Sequence, residues 1–213
     1  IRKPCPVVIM SNPGDGSPKT IFNFFELGAV DFMSKPTKNQ DILVQQQKII
    51  ERVKIAATAT VKNFRITRVP KPTAGNLTVT PAGMACHRLV IVISGPGGHP
   101  EQMRLLSGLV SAMGAVDGSV VALQSLPPSF RETFARYLIE RCGCPASPID
   151  QEMPLSAGQC YVGIHGCPLV VRMDGQQPFI APAAPENEAA HVDRILSTAA
   201  SVFRDRLTVV LLS

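Results

Sequence analysis

Five apolar residues, Leu89 to Ile93, run without interruption into Ser94-Gly95-Pro96-Gly97-Gly98. A short, β-branched run bounded by glycines reads as a buried strand of a parallel sheet. The glycines permit backbone angles that side chains forbid, and Glu101 opens a helical pattern. A strand that feeds a helix through a tight turn is the building unit of an open α/β sheet. In such sheets ligands and nucleophiles sit at the carboxyl ends of the strands. The functional question is therefore which side chain this corner presents.

At 213 residues the chain suits one or two domains and can bury a sizeable core. A hydrophobic content of 45% with 17% charged residues is globular rather than disordered composition. No run approaches the ~18 apolar residues of a membrane span, and no basic-then-apolar leader is present, so a cytoplasmic protein without membrane insertion is expected. Ile1, in place of an initiator methionine, reads as a cut. Charge divides the chain. Residues 1–88 hold 13 Lys/Arg against 5 Asp/Glu, a balance of +8, whereas residues 89–213 hold 8 against 11, and all eight of those cations are Arg. That change argues for two units of different character. The basic residues are spread over a helix and a linker with no aromatic stripe, which reads as solvated surface, so no nucleic-acid partner is expected. Six cysteines, at 5, 86, 142, 144, 160 and 167, contain no C-x-x-C pair, so no metal site is expected and they read as buried thiols.

Pro6 to Ser11 and Ala29 to Met33 are short apolar runs that read as strands, with a short helix from Thr20 to Gly28 between them. An amphipathic helix is predicted from Asn39 to Thr60. Residues 62–87, rich in Pro and Gly without periodicity, read as a linker. Beyond it strands and helices alternate: Val120 to Leu123, a helix from Ser129 to Arg141, a helix from His191 to Val202, and a strand from Leu207 to Leu212. Cys160–Ile164 and Leu169–Met173 read as a hairpin, with Asp174-Gly175 as a turn signal.

Two regions resemble one family in the same order. Pro6-Val-Val-Ile-Met-Ser11 and Glu26-Leu-Gly-Ala-Val-Asp-Phe-Met-Ser-Lys-Pro36 resemble the second half of a response-regulator receiver domain, in the form attached to chemotaxis protein-glutamate methylesterases (CheB). Residues 89–213 resemble the methylesterase domain through Gly97-Gly98, Gln124 and Pro127, Gly158 with Tyr161, and Val192-Asp193. The resemblance implies a partial receiver at 1–61, a linker at 62–87 and a methylesterase-like domain at 88–213. The fold class implied is α/β, a doubly wound, mostly parallel, Rossmann-type sheet preceded by the C-terminal half of a flavodoxin-like receiver. In that receiver half Ser11 matches the hydroxyl residue that senses a phosphoryl group, Lys35 the lysine that contacts it, and Phe32 the aromatic switch. The phosphoacceptor aspartate is placed before Ile1.

In the methylesterase half the resemblance implies a serine nucleophile, a histidine base and an aspartate that orients it; a serine hydroxyl is a weak nucleophile until an imidazole takes its proton. Anchored on Gly97 and Gly98, which belong to the turn and oxyanion region, the family pattern Gly-Ala-Ser-Thr-Gly-Gly puts its serine on Gly95, with Ser94 one residue early. Gln-His-Met-Pro aligns with Gln124-Ser125-Leu126-Pro127, so the histidine position holds Ser125. The aspartate is placed after Ser213. Pro168 stands where the family has histidine, and Ala190-His191 where it has Pro-Ser. Two rescues remain. Ser94 is an alternative nucleophile, with His99 beside the turn, and Ser94-Gly-Pro-Gly-Gly resembles a phosphate cradle but lacks G-x-G-x-x-G spacing and a P-loop lysine. His165 and His191 read as a core edge or a helix face. The expectation is a signalling protein that binds or regulates, with a chemoreceptor or other signalling protein as partner, no cofactor and a lost catalytic triad. The competing expectation is an active protein-glutamate methylesterase and glutamine deamidase.

Overall fold

The structure, a computed structural model, describes residues 5–12, 22–24, 27–36, 42–58, 84–95, 100–113, 117–184 and 191–212. Strands β1 (Val8–Ser11) and β2 (Asp31–Ser34) pair parallel, with Val8 opposite Asp31 and Ser11 opposite Ser34. Between them residues 22–24 are helical, and helix α1 (Ile42–Ala57) follows β2. A two-stranded parallel sheet cannot bury both its faces by itself. Here the pair leans on the larger unit through its aromatics. Phe22 and Phe32 are both fully buried, in the same core as Phe130, Phe134 and Tyr137. Ring centroids lie 4.4 Å apart for Phe32–Phe130 and 5.0 Å for Phe22–Phe134, at interplanar angles of 77° and 67°. This edge-to-face geometry is the one that ring quadrupoles favour.

The larger unit holds β3 (Arg88–Ser94), α2 (Pro100–Met113), β4 (Gly118–Gln124), α3 (Arg131–Cys142), β5 (Ala146–Pro148), β6 (Met153–Pro154), β7 (Cys160–Ile164), β8 (Leu169–Asp174), β9 (Gln177–Pro182), α4 (His191–Phe203) and β10 (Leu207–Leu212). Five of these strands form an all-parallel sheet in the order β10-β3-β4-β7-β5. The predicted α/β class and mostly parallel sheet are therefore present. Alternation along β3 divides the core. Leu89, Ile91 and Ile93 join one cluster with Phe203, Ala199 and Ile195 of α4, while Val92 joins the other with Leu106 and Val110 of α2 and Leu138 of α3. In α4 the buried residues His191, Ile195, Ala199 and Phe203 recur every fourth position, the stripe by which a helix buries one side.

The predicted hairpin of 160–164 with 169–173 is corrected. β7 lies inside the parallel sheet between β4 and β5, and β8 pairs antiparallel with β9, which also binds β6. The Asp174-Gly175 turn signal was sound, because it joins β8 to β9, and Gly175 takes the positive φ of 57° that the turn needs. The last residues read as linker are already tied down: the Cys86 N–H donates to the Leu155 carbonyl at 3.1 Å, and Ala85 bridges to Ser156. Linker residues 62–83 lie outside the described residues. No helix among the described residues is long and apolar enough to cross a membrane.

Candidate functional site

Strand order locates the site. From β3 the sheet grows through β4 and β7 on one side, whereas β10, last in sequence, lies on the other. Neighbouring connections diverge at such a switch point and leave a crevice beyond the carboxyl ends of the two strands. By that rule the candidate crevice lies beyond Ser94, Gly95 and Leu212, at the carboxyl ends of β3 and β10. The Gly95 N–H donates to the Leu212 carbonyl at 2.9 Å, extending the β3–β10 ladder by one residue. Gly97, Gly98 and His99 lie outside the described residues.

Ser94 ends β3 with only 3% of its surface exposed, and its Oγ accepts a hydrogen bond from Gln124 Nε2 at 2.9 Å. The same amide lies 3.3 Å from the Leu123 carbonyl. Both side chains belong to the face that carries Val92 and Ala122, against α2 and α3. By the period of two, position 95 belongs to the opposite face. There Gly95 has no side chain, and a Cβ built on it would stand 3.4 Å from the Leu212 carbonyl oxygen, close enough to touch and far enough to fit. Ser125, half-buried, follows the buried Gln124 at the end of β4 and is next in the same alternation. The one-residue offset between Ser94 and Gly95 is thus a change of sheet face. Ser94 is buried away from the side on which a residue at 95 would act, and its described side-chain partner is an amide that cannot take up a proton.

The histidines sit on the other face. His165 follows β7, where its backbone N–H donates to the Gln124 carbonyl at 2.9 Å, and His191 begins α4. Both line a small cavity with Leu123, Cys167, Leu169 and Ile195. His165 Nε2 and both ring nitrogens of His191 are buried without a hydrogen-bond partner among the described residues. Burial holds the His165 imidazole below its ordinary pKa, so it is neutral near pH 7. The reading of these two as core-edge and helix-face residues agrees with their placement. Among the described residues no three His, Cys, Asp or Glu gather into a group able to hold a metal ion. Burial raises the thiol pKa of Cys86 to about 11 and of Cys144 to about 12, and pushes Cys160 well up. These are inert packing groups.

In the smaller unit Ser11 and Lys35 meet at the carboxyl end of the strand pair, where the Lys35 N–H donates to the Ser11 carbonyl at 3.1 Å. Phe32 points into the shared core rather than to solvent. Beside it, buried Asp31 accepts from the Phe32 N–H at 2.8 Å and from Arg52 Nη1 at 2.7 Å, fastening α1 to β2. Sequence reasoning used Gln124 only as an alignment anchor and missed its bond to Ser94. The available signal was a polar residue closing each of two adjacent apolar runs.

The comparisons with known proteins agree with this architecture. The family model described as CheB methylesterase matches residues 90–213. A protein-glutamate methylesterase/protein-glutamine glutaminase of Caldanaerobacter subterraneus subsp. tengcongensis is 29% identical over 182 residues, covering 81% of this chain and 49% of its own length. A protein of the same description from Symbiobacterium thermophilum is 25% identical over 223 residues, covering 100% of this chain and 61% of its own length. The chain thus spans about half to three-fifths of the length of these relatives. Among solved structures, the Thermotoga maritima CheB methylesterase catalytic domain superposes with a TM-score of 0.50 at 16% identity, covering 59% of this chain and 67% of that one, a likeness of fold. With more than half of its residues inside the family match, the chain belongs to the CheB methylesterase family.

Proposed function

We propose that this chain is a CheB-type chemotaxis protein that kept the methylesterase fold without its catalytic triad and acts by binding or regulation. One observation carries the reading. The corner after β3 offers a glycine at position 95, and the nearby hydroxyl of Ser94 is buried on the other face in a hydrogen bond from Gln124. Ester hydrolysis through a serine needs the hydroxyl, a base in contact with it and donors for the developing oxyanion. Gly95 supplies no hydroxyl, and Ser125 at the family's base position cannot act as a base near neutral pH. Losing either partner alone removes most of the covalent route.

The retained parts suit a binding role. Ser11, Phe32 and Lys35 correspond to the residues through which a receiver reads phosphorylation, and Phe32 rests on Phe130 six residues after Gln124. A signal at the small unit can therefore reach the crevice through packed side chains. The partner expected is a chemoreceptor or another signalling protein in the cytoplasm. A second reading, an active protein-glutamate methylesterase and glutaminase, is favoured by the descriptions of the relatives. Release of methanol from methylated chemoreceptor separates the two. The proposal predicts a rate indistinguishable from the protein-free control; turnover that Ser94→Ala abolishes would establish the enzyme.

A further inference from the structure

A concavity lined by none of Ser94, Gly95 and Leu212 lies in the cleft between the two units. It has a volume of about 620 Å3, within the range of pockets that hold small molecules. One wall comes from the smaller unit, with Met33 after Phe32 and Lys48, Ile49, Arg52 and Ile55 along one side of α1. The other is the turn Pro127-Pro128-Ser129, which leads from Ser125 into α3. Its character is mixed: half of the lining is apolar, from Met33, Ile49, Ile55 and the prolines, and half is polar.

Those polar groups are unequal. Arg52 is held by Asp31 at 2.7 Å, while Lys48 has no ion-pair partner among the described residues. Glu51 also reaches the cleft, but it accepts from Gln47 Nε2 at 3.3 Å. The cation left to meet a ligand is the Lys48 ammonium, and the described residues of the smaller unit carry Lys35, Lys48, Arg52 and Lys54 against Asp31 and Glu51. Such a field favours anions on approach.

We infer that this cleft is a binding site for a small amphipathic anion, an apolar chain or ring bearing one carboxylate, sulfonate or phosphate, with its charge at Lys48 and its apolar body against Ile49, Ile55 and Pro127. A ligand there touches both units and the turn that follows position 125, so it clamps the two together. The inference stands whether or not the chain hydrolyses esters, since no residue of the crevice lines the cleft.

Calorimetric titration of the full chain with dodecanoate, and separately with dodecyltrimethylammonium, both below their micelle concentrations, tests this. Dodecanoate is expected to bind with one molecule per chain, at least tenfold tighter than the ammonium, and to raise the thermal midpoint. Lys48→Glu, a change on the exposed side of α1, is expected to weaken it at least tenfold, and Ser129→Trp, which puts an indole into the cleft, to abolish it. Equal affinity for the two head groups, binding that neither variant alters, or no binding at all would overturn the assignment.

Discussion

Replacing Phe32 by alanine asks whether the two units share one core. Phe32 is fully buried, and its ring sits edge-on to Phe130 at 4.4 Å. Removing a buried phenylalanine side chain costs about 3–5 kcal/mol through lost transfer energy and the cavity left behind. Within that figure the ring pair itself contributes about 0.5–1.5 kcal/mol, measurable as the coupling in a Phe32→Ala/Phe130→Ala cycle. At roughly 2–4 °C per kcal/mol for a chain of this size, the thermal midpoint should fall by about 6–20 °C. The chain has no tryptophan and two tyrosines, Tyr137 and Tyr161, both in the larger unit. Tyrosine fluorescence in a urea titration therefore reports the larger unit alone. If the core is shared, a substitution in the smaller unit moves that transition. A tyrosine transition that stays at the parent midpoint would refute the shared core and make the units independent.

Other parts of the molecule give equally definite expectations. A Cβ on Gly163 would lie 2.7 Å from Leu123 Cδ2 and 2.8 Å from Leu169 Cδ1, so Gly163→Ala should cost about 1–3 kcal/mol in urea denaturation, and Leu169→Val should recover part of that. Burial lowers the His165 pKa from its ordinary 6.5, so the unfolded chain binds the proton more readily. Stability from this group is present above pH 6.5 and is lost as pH falls through that value, levelling off below the folded pKa; urea midpoints at pH 7.5 and 5.5 should differ less in His165→Gln than in the parent, and an unchanged difference would contradict the assignment. The Cys86, Cys144 and Cys160 thiols, raised by burial, should react with a disulfide reagent at pH 8 only after denaturant is added, while exposed Cys5 reacts at once.

Much of the fold could be read from local pattern because its strands are short, apolar and punctuated. Leu89–Ile93 and Val120–Leu123 are fully apolar, as strands covered on both faces must be, and the largely apolar run Leu207–Leu212 forms the partly exposed edge strand beside them. The hairpin failed for a physical reason. Apolar residues in Cys160–Ile164 report burial but not partner, and the partner is set by a crossover that brings this segment beside Val120–Gln124. The true partner of Leu169–Asp174 was hidden by Pro178 and Pro182 in β9, which lie outside the Phe179–Ile180 pair that both neighbours engage. At the candidate site, the offset between Ser94 and Gly95 was legible in the sequence. Its consequence, burial of Ser94 against Gln124 on the opposite face, needed the register of β3 with β4. The shared cavity of His165 and His191 was not legible, since 26 residues separate them in sequence.

The central claim is that the corner after β3 holds no usable nucleophile. Incubation of the full chain with a fluorophosphonate, followed by intact-mass measurement, examines that corner directly, because such reagents phosphonylate an activated serine and leave an unactivated one alone. The account predicts an unchanged mass for the parent and for Ser94→Ala alike. A stoichiometric adduct on the parent that disappears in Ser94→Ala would contradict it.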